Sequence, residues 1–208
     1  MDTMEQNNEM TAQQSLRIIT ETMNNNRMDI IRRGGKHFLL WGGLLTFFSL
    51  LVYALWKTTG SSAWNNLWFA LPAIGFPLAR WMETRTKDVR PVNTISRIVA
   101  GIWRTFGIFA CAISLFTVLY AHANPNPIGT IVAGASLTAQ IVLLFGMAET
   151  VSGIALKNLA IRISGYVTGI GGVILYYVTG VGKEQLLIFT LAGVVLFATG
   201  LIVRKQYK

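Results

Sequence analysis

Long apolar runs separated by short polar breaks make up most of this chain. The first, residues 37–56, reads HFLLWGGLLTFFSLLVYALW, and the second, 64–81, reads WNNLWFALPAIGFPLARW. Four more follow near 98–120, 128–147, 159–178 and 186–203. Each is close to the roughly 20 residues that an α-helix needs to cross a bilayer. The runs are continuously apolar rather than alternating, which argues for helices and against a β-barrel. The pattern predicts an all-α, polytopic membrane helix bundle, with six transmembrane helices arranged as three hairpins. The second run is short and carries Pro72 and Pro77, residues able to kink a helix.

The residues ahead of the first run follow another pattern. Residues 1–12 are mostly Asn, Gln, Glu and Met without periodicity and read as a disordered tail. In 13–36, Leu16, Ile19, Met23 and Ile30 share one helical stripe, with Arg17, Arg27, Arg32 and Arg33 among them. This predicts a basic amphipathic cytoplasmic helix, softened at Asn24–Asn26, and then a six-helix domain over 37–208. Two surfaces suit the stripe, a membrane surface or the chain's own cytoplasmic loops. No secretory signal is read, because the first apolar run begins too late.

Composition agrees with the membrane class. The chain is 52% hydrophobic and 13% charged, against about 25% charged in a soluble domain. The net charge of +9 raises the alternative of nucleic-acid binding, and the placement of the cations answers it. Arg17, Arg27, Arg32, Arg33 and Lys36 precede the first run. Arg80, Arg85, Lys87, Arg90 and Arg97 lie around the break between the second and third, Lys157 and Arg162 around the break between the fourth and fifth, and Arg204, Lys205 and Lys208 after the sixth. The intervening breaks hold Lys57 and Lys183. Cations cluster on the cytoplasmic side of inner-membrane proteins. The expected location is therefore the bacterial inner membrane with both termini cytoplasmic. The expected partners are membrane lipids, with anionic headgroups at the cytoplasmic face, and a protein partner or homodimer, without nucleic acid.

Glycines recur where helices would touch. Gly165, Gly169 and Gly172 form one stripe on the fifth run, and Gly146, Thr150 and Gly153 a similar one on the fourth. Small residues let helix backbones approach in lipid, where little hydrophobic force drives association. Packing within one chain and a dimer interface both use such stripes. Each even-numbered run also has a glycine ahead of its cytoplasmic end, Gly75, Gly146 and Gly193, a threefold echo that suits three hairpins.

Two charges fall inside apolar runs. Glu149 lies eight residues before Lys157, about 12 Å along a helix, and Arg104 lies seven residues after Arg97, about 10 Å. Counted from the short break between the third and fourth runs, they reach comparable depth. Glu149 suits three roles: an interfacial acid, a polar pair with Arg104, or a proton or ion site. Gln140 is a candidate for a polar cavity. Chemistry beyond this is sparse. Cys111 is the chain's one cysteine, which excludes an internal disulfide. His37 and His122 fall on opposite faces, so they share no metal. No phosphate loop, nucleophile elbow or HExxH is present. No catalytic residue, metal or cofactor is expected.

The stretch LRIITETMNNNRMDIIRRGGKHFLLWGGLL resembles the start of an uncharacterised family of small bacterial six-span integral membrane proteins with an N-terminal cytoplasmic helix. The likeness rests on Ile18–Ile19 through Met23, on Phe38-Leu39-Leu40-Trp41-Gly42, and on SGIALKN ahead of the fifth run. It implies the fold and brings no activity. The expectation is a non-enzymatic membrane protein that binds lipid or a partner. The rival is a small transporter or channel subunit using Glu149 and Arg104.

Overall fold

The computed structural model describes residues 12–85, 94–124, 126–179 and 182–206, and among them there is no strand. Six α-helices succeed one another: α1 (Ala12–Thr59), α2 (Ala70–Thr84), α3 (Thr94–Ala123), α4 (Pro127–Ala155), α5 (Leu159–Thr179) and α6 (Leu186–Gln206). A 3-10 helix over Ser62–Phe69 leads into α2, and a short one over Lys183–Gln185 leads into α6. All but α2 contain stretches long and apolar enough to cross a membrane. α2 has 15 residues, about 22 Å of helix, and reaches spanning length only together with the 3-10 helix before it. Pro72 falls in the first turn of α2, where backbone N–H groups lack helical partners anyway. Pro77 sits inside the helix and withdraws a donor from the Ala73 carbonyl.

The distribution of side chains is that of a helical membrane protein. Ser49, Glu149, Ser152, Ser164, Thr168 and Thr199 are buried, while Phe116, Phe69, Tyr177 and Val178 lie on the outside. A water-soluble domain does the reverse with its large apolar residues. In lipid a helix gains nothing by hiding leucine, so the interior is left to small residues that pack closely and polar ones that bond across helices.

Two antiparallel seams of glycine carry most of the packing. α1 meets α6 along the first and α4 meets α5 along the second. In each, a Gly-x-x-x-Thr segment receives a glycine from the neighbour. A Cβ added to Gly193 of α6 would lie 2.7 Å from the Thr46 nitrogen and 2.9 Å from the Gly42 carbonyl oxygen of α1. A Cβ added to Gly165 of α5 would strike Thr150 and lie 2.7 Å from the Gly146 carbonyl oxygen of α4. Hydroxyls reinforce the first seam, where Ser49 Oγ and Thr190 Oγ1 stand 2.8 Å apart. α5 and α6 join the two seams. Ile31 and Phe38 of α1, Leu156, Ile161 of α5, and Leu196 and Val203 of α6 form an apolar cluster at one end of the bundle.

α2 and α3 attach at the flanks through aromatic contacts. The Gly75 backbone of α2 rests on the Trp41 indole of α1, whose ring also stands edge-on to Phe76 at 5.3 Å between centroids. His37 Nε2 lies 3.4 Å from Glu83 Oε1, a second tie between these helices. Trp103 and Phe106 of α3 enclose Phe145 of α4, each at 5.6 Å between centroids.

α1 runs unbroken from Ala12 to Thr59, so one helix crosses the expected boundary at 36/37. No proline interrupts it, and Gly35 is held in helix by packing against Val203, Arg204 and the Gly200 carbonyl of α6. The segment 13–36 is therefore helically continuous with the first apolar run. At 48 residues, α1 is about 72 Å long, more than twice the hydrocarbon thickness of about 30 Å. The most extensive contacts are α1–α6 and α4–α5, and within the expected hairpins α3 packs on α4, α5 on α6 and α2 on α1. Gly146 and Gly193 each meet the backbone of a neighbouring helix, whereas Gly75 meets the Trp41 ring. Residues 1–11 of the expected tail, and 86–93 of the basic break after α2, lie outside the described residues.

Candidate functional site

The α4–α5 seam contains the one deeply placed carboxyl of the described helices, and a three-residue turn sets its geometry. α4 ends with Lys157 in the left-handed region at φ 49°. The Lys157 N–H donates to the Ile154 carbonyl at 3.0 Å, and the Asn158 N–H to the Gly153 carbonyl at 2.9 Å. This pair of bonds is a Schellman closure, with lysine at the position usually given to glycine. Asn158 then caps α5, its Oδ1 accepting from the Ile161 N–H at 3.0 Å. Leu156 and Ile161 are buried on either side. The two helices thus leave the turn in contact, and Gly153 lies directly against the Arg162 backbone.

Further along, Gly146 lies on Gly169, and Gly172 receives Val142. All five stripe glycines, Gly146, Gly153, Gly165, Gly169 and Gly172, therefore meet within one chain between α4 and α5. Glu149 lies three residues after Gly146 and four before Gly153, on the same face of α4 as both. Its side chain is fully buried. Ser164 Oγ donates to Glu149 Oε1 in a short hydrogen bond, and Thr168 Oγ1 lies 3.4 Å from Oε2. Ser164 Oγ also stands 2.9 Å from the Ile161 carbonyl and Thr168 Oγ1 2.8 Å from the Ser164 carbonyl. A hydroxyl carries one proton, so each divides it between its own helix and the carboxyl.

Arg104 takes no part. It is exposed on the far side of α3, and among the described residues no ion pair joins it to Glu149. α3 turns Trp103 and Phe106 toward α4, and Arg104 follows Trp103 by about 100° of helix rotation. Gln140 is exposed too. The polar contact on that part of α4 belongs to Thr138, whose Oγ1 donates to the buried Gln185 Oε1 at 2.9 Å, tying α4 to the 3-10 turn before α6. Ser164, Thr168 and Gln185 were not singled out from the sequence. For the first two a signal existed: they alternate with Gly165 and Gly169 at the same four-residue spacing, which places hydroxyls beside the glycine stripe.

Among the described residues no group of three His, Cys, Asp or Glu could hold a metal ion. Glu149 has no second carboxyl or imidazole beside it with which to divide acid and base roles. What the arrangement supplies is a polar island of one carboxyl and two hydroxyls, closed off by backbone-to-backbone packing. Compared with known proteins, the chain matches no protein family, no curated protein and no solved structure.

Proposed function

We propose that the chain is a non-enzymatic integral protein of the bacterial inner membrane that binds a protein partner through the projecting start of α1. The observation that carries this reading is the continuity of α1. Its first two turns and more stand clear of the bundle, with Leu16, Ile19 and Met23 exposed at 64%, 55% and 55%. These three lie at i, i+3 and i+7, the spacing by which a helix enters an apolar groove. An ion pair along the helix, Arg17–Glu21 at 2.9 Å, supports this projecting stretch. A helix continuous with a membrane span holds such a stripe at a fixed distance from the bilayer, which suits recruitment of a cytoplasmic partner. In this reading the chain crosses six times, the 3-10 helix and α2 together forming the second span, with both termini cytoplasmic. The resemblance of residues 16–45 to small six-span bacterial membrane proteins agrees with it.

The test is affinity purification of the full chain from detergent-solubilised membranes. A cytoplasmic protein retained in near-equal amount by the natural chain, and lost from a Leu16→Ser, Ile19→Ser, Met23→Ser variant of equal stability, is the expected result. Identical eluates from the two would overturn the reading. Topology is checked separately by reagents that do not cross the bilayer, which should modify 121–127 and spare 82–97 in intact cells. A second reading, a small transporter or channel subunit, draws on Glu149 alone, because Arg104 faces away. Its signature would be liposome flux abolished by Glu149→Gln.

A further inference from the structure

α3 presents one face to α4 and the opposite face to its surroundings. The inner face carries Ile95, Val99, Trp103 and Phe106, all partly buried. The outer stripe runs through Arg97, Gly101, Arg104, Ile108, Cys111 and Leu115, spaced so that all six lie within about 40° of one line along the helix. Arg97, Arg104, Ile108, Cys111 and Leu115 are exposed. Among the described residues neither arginine has an ion-pair partner. They stand seven residues apart, about 10 Å along the axis. Gly101 lies between them, and a Cβ added there meets nothing within 4 Å. The helix surface at Gly101 is therefore open. Helical side chains lean toward the N-terminus of their helix, so Arg104 tilts back over Gly101 in the direction of Arg97.

We propose that Arg97 and Arg104 hold the phosphate of an anionic phospholipid over Gly101, with its acyl chains lying along Ile108 and Leu115. The site rests on reading α3 as a membrane span. An arginine one to two turns inside a bilayer requires an anion or a route to the headgroups. Among the described residues no carboxylate pairs with either arginine, and Glu149 is sealed between α4 and α5. A guanidinium matches a phosphate with two parallel hydrogen bonds, and two such groups with an open glycine between them accommodate a headgroup from both sides. A second copy of the chain fits this face poorly. Pairing two α3 helices on the stripe about a twofold axis would set Arg104 against Arg104.

The test is native mass spectrometry of the full chain in detergent with equal amounts of phosphatidylglycerol and phosphatidylcholine. The natural chain should retain phosphatidylglycerol preferentially. Arg97→Gln and Arg104→Gln should each lower that retention about fivefold. The double variant should bring it to the phosphatidylcholine level, while Lys57→Gln leaves it unchanged. A doubly Lys-substituted variant keeps both charges but not the paired hydrogen bonds and should fall between the natural chain and the double Gln variant, which separates lost recognition from a lost fold. Equal retention by the natural chain and the double Gln variant would overturn the site, as would equal retention of the two lipids. Cys111 supplies a further arm, being the chain's one cysteine and lying on the same stripe. Efficient oxidative cross-linking of two chains through it in native membranes would assign the face to a second copy and overturn the lipid site. Release of the chain from alkaline-washed membranes would overturn the span reading itself, before any lipid is measured.

Discussion

Replacing Gly165 by alanine tests the packing argument most directly. The added Cβ would stand 2.7 Å from the Gly146 carbonyl oxygen and closer still to the Thr150 nitrogen and Oγ1. Two of these three neighbours are backbone, so no side-chain rotation relieves the contact. α4 and α5 must separate by about 1 Å, and a gap of that size forfeits roughly a quarter to a half of each dispersion contact along the seam. Overpacking of this kind costs about 1–3 kcal/mol. The neighbouring residue, Ser164, bonds Glu149 across the same seam, and stretching that bond adds up to about 1 kcal/mol. The expected loss is therefore about 1–4 kcal/mol.

Gly171 provides the internal reference. It lies on the same helix, and a Cβ there meets nothing within 4 Å. Alanine gains the same helix propensity at both positions, about 0.5–1 kcal/mol over glycine. The difference between the two variants therefore isolates the seam. The assay is reversible unfolding in mixed micelles, followed by far-UV circular dichroism against denaturing detergent. Gly171→Ala should unfold at or above the natural midpoint and Gly165→Ala well below it. Equal midpoints for the two would refute the claim that α4 and α5 meet backbone to backbone.

The remaining predictions concern the turn and the polar island. Lys157→Gly should stabilise the chain by about 0.5–1 kcal/mol in the same unfolding assay, because lysine at φ 49° bears a left-handed penalty that glycine does not. Glu149→Gln preserves the side-chain length and a partner for both hydroxyls and should unfold within about 1 kcal/mol of the natural chain. Glu149→Ala leaves a hole in a close-packed seam and should cost about 2–3 kcal/mol. The charge swap Glu149→Arg with Arg104→Glu should show no rescue, the double-mutant cycle closing with a coupling energy below about 0.5 kcal/mol. Recovery of folding in the double variant would place Arg104 beside Glu149 after all.

How far the sequence could be read follows from what hydropathy encodes. Length and depth are axial quantities, and continuous apolar runs report them well. That is why the long helices were legible. Direction around the axis is reported by contrast between faces, and a lipid-facing helix has little. In α3 the outer stripe of Ile108 and Leu115 is as apolar as the inner one of Val99 and Phe106, so nothing in hydropathy separated Arg104 from the α4 interface. In α4 the contrast lay in size. Gly146, Glu149 and Gly153 follow at intervals of three and four, which ties the carboxyl to the small-residue face rather than to the neighbour inferred from chain order. The complementary signal on α5 was the interleaving of Ser164 and Thr168 with Gly165 and Gly169. The continuity of α1 escaped for another reason: Gly34–Gly35 and Asn24–Asn26 weaken a helix locally, but packing against Gly200 and Val203 of α6 overrides the propensity at Gly35. Where helices meet by backbone, small residues rather than hydrophobic ones carry the information about facing. The same rule accounts for the burial of Glu149, since a seam of glycines leaves room beside it for one longer side chain and demands hydroxyls to receive it.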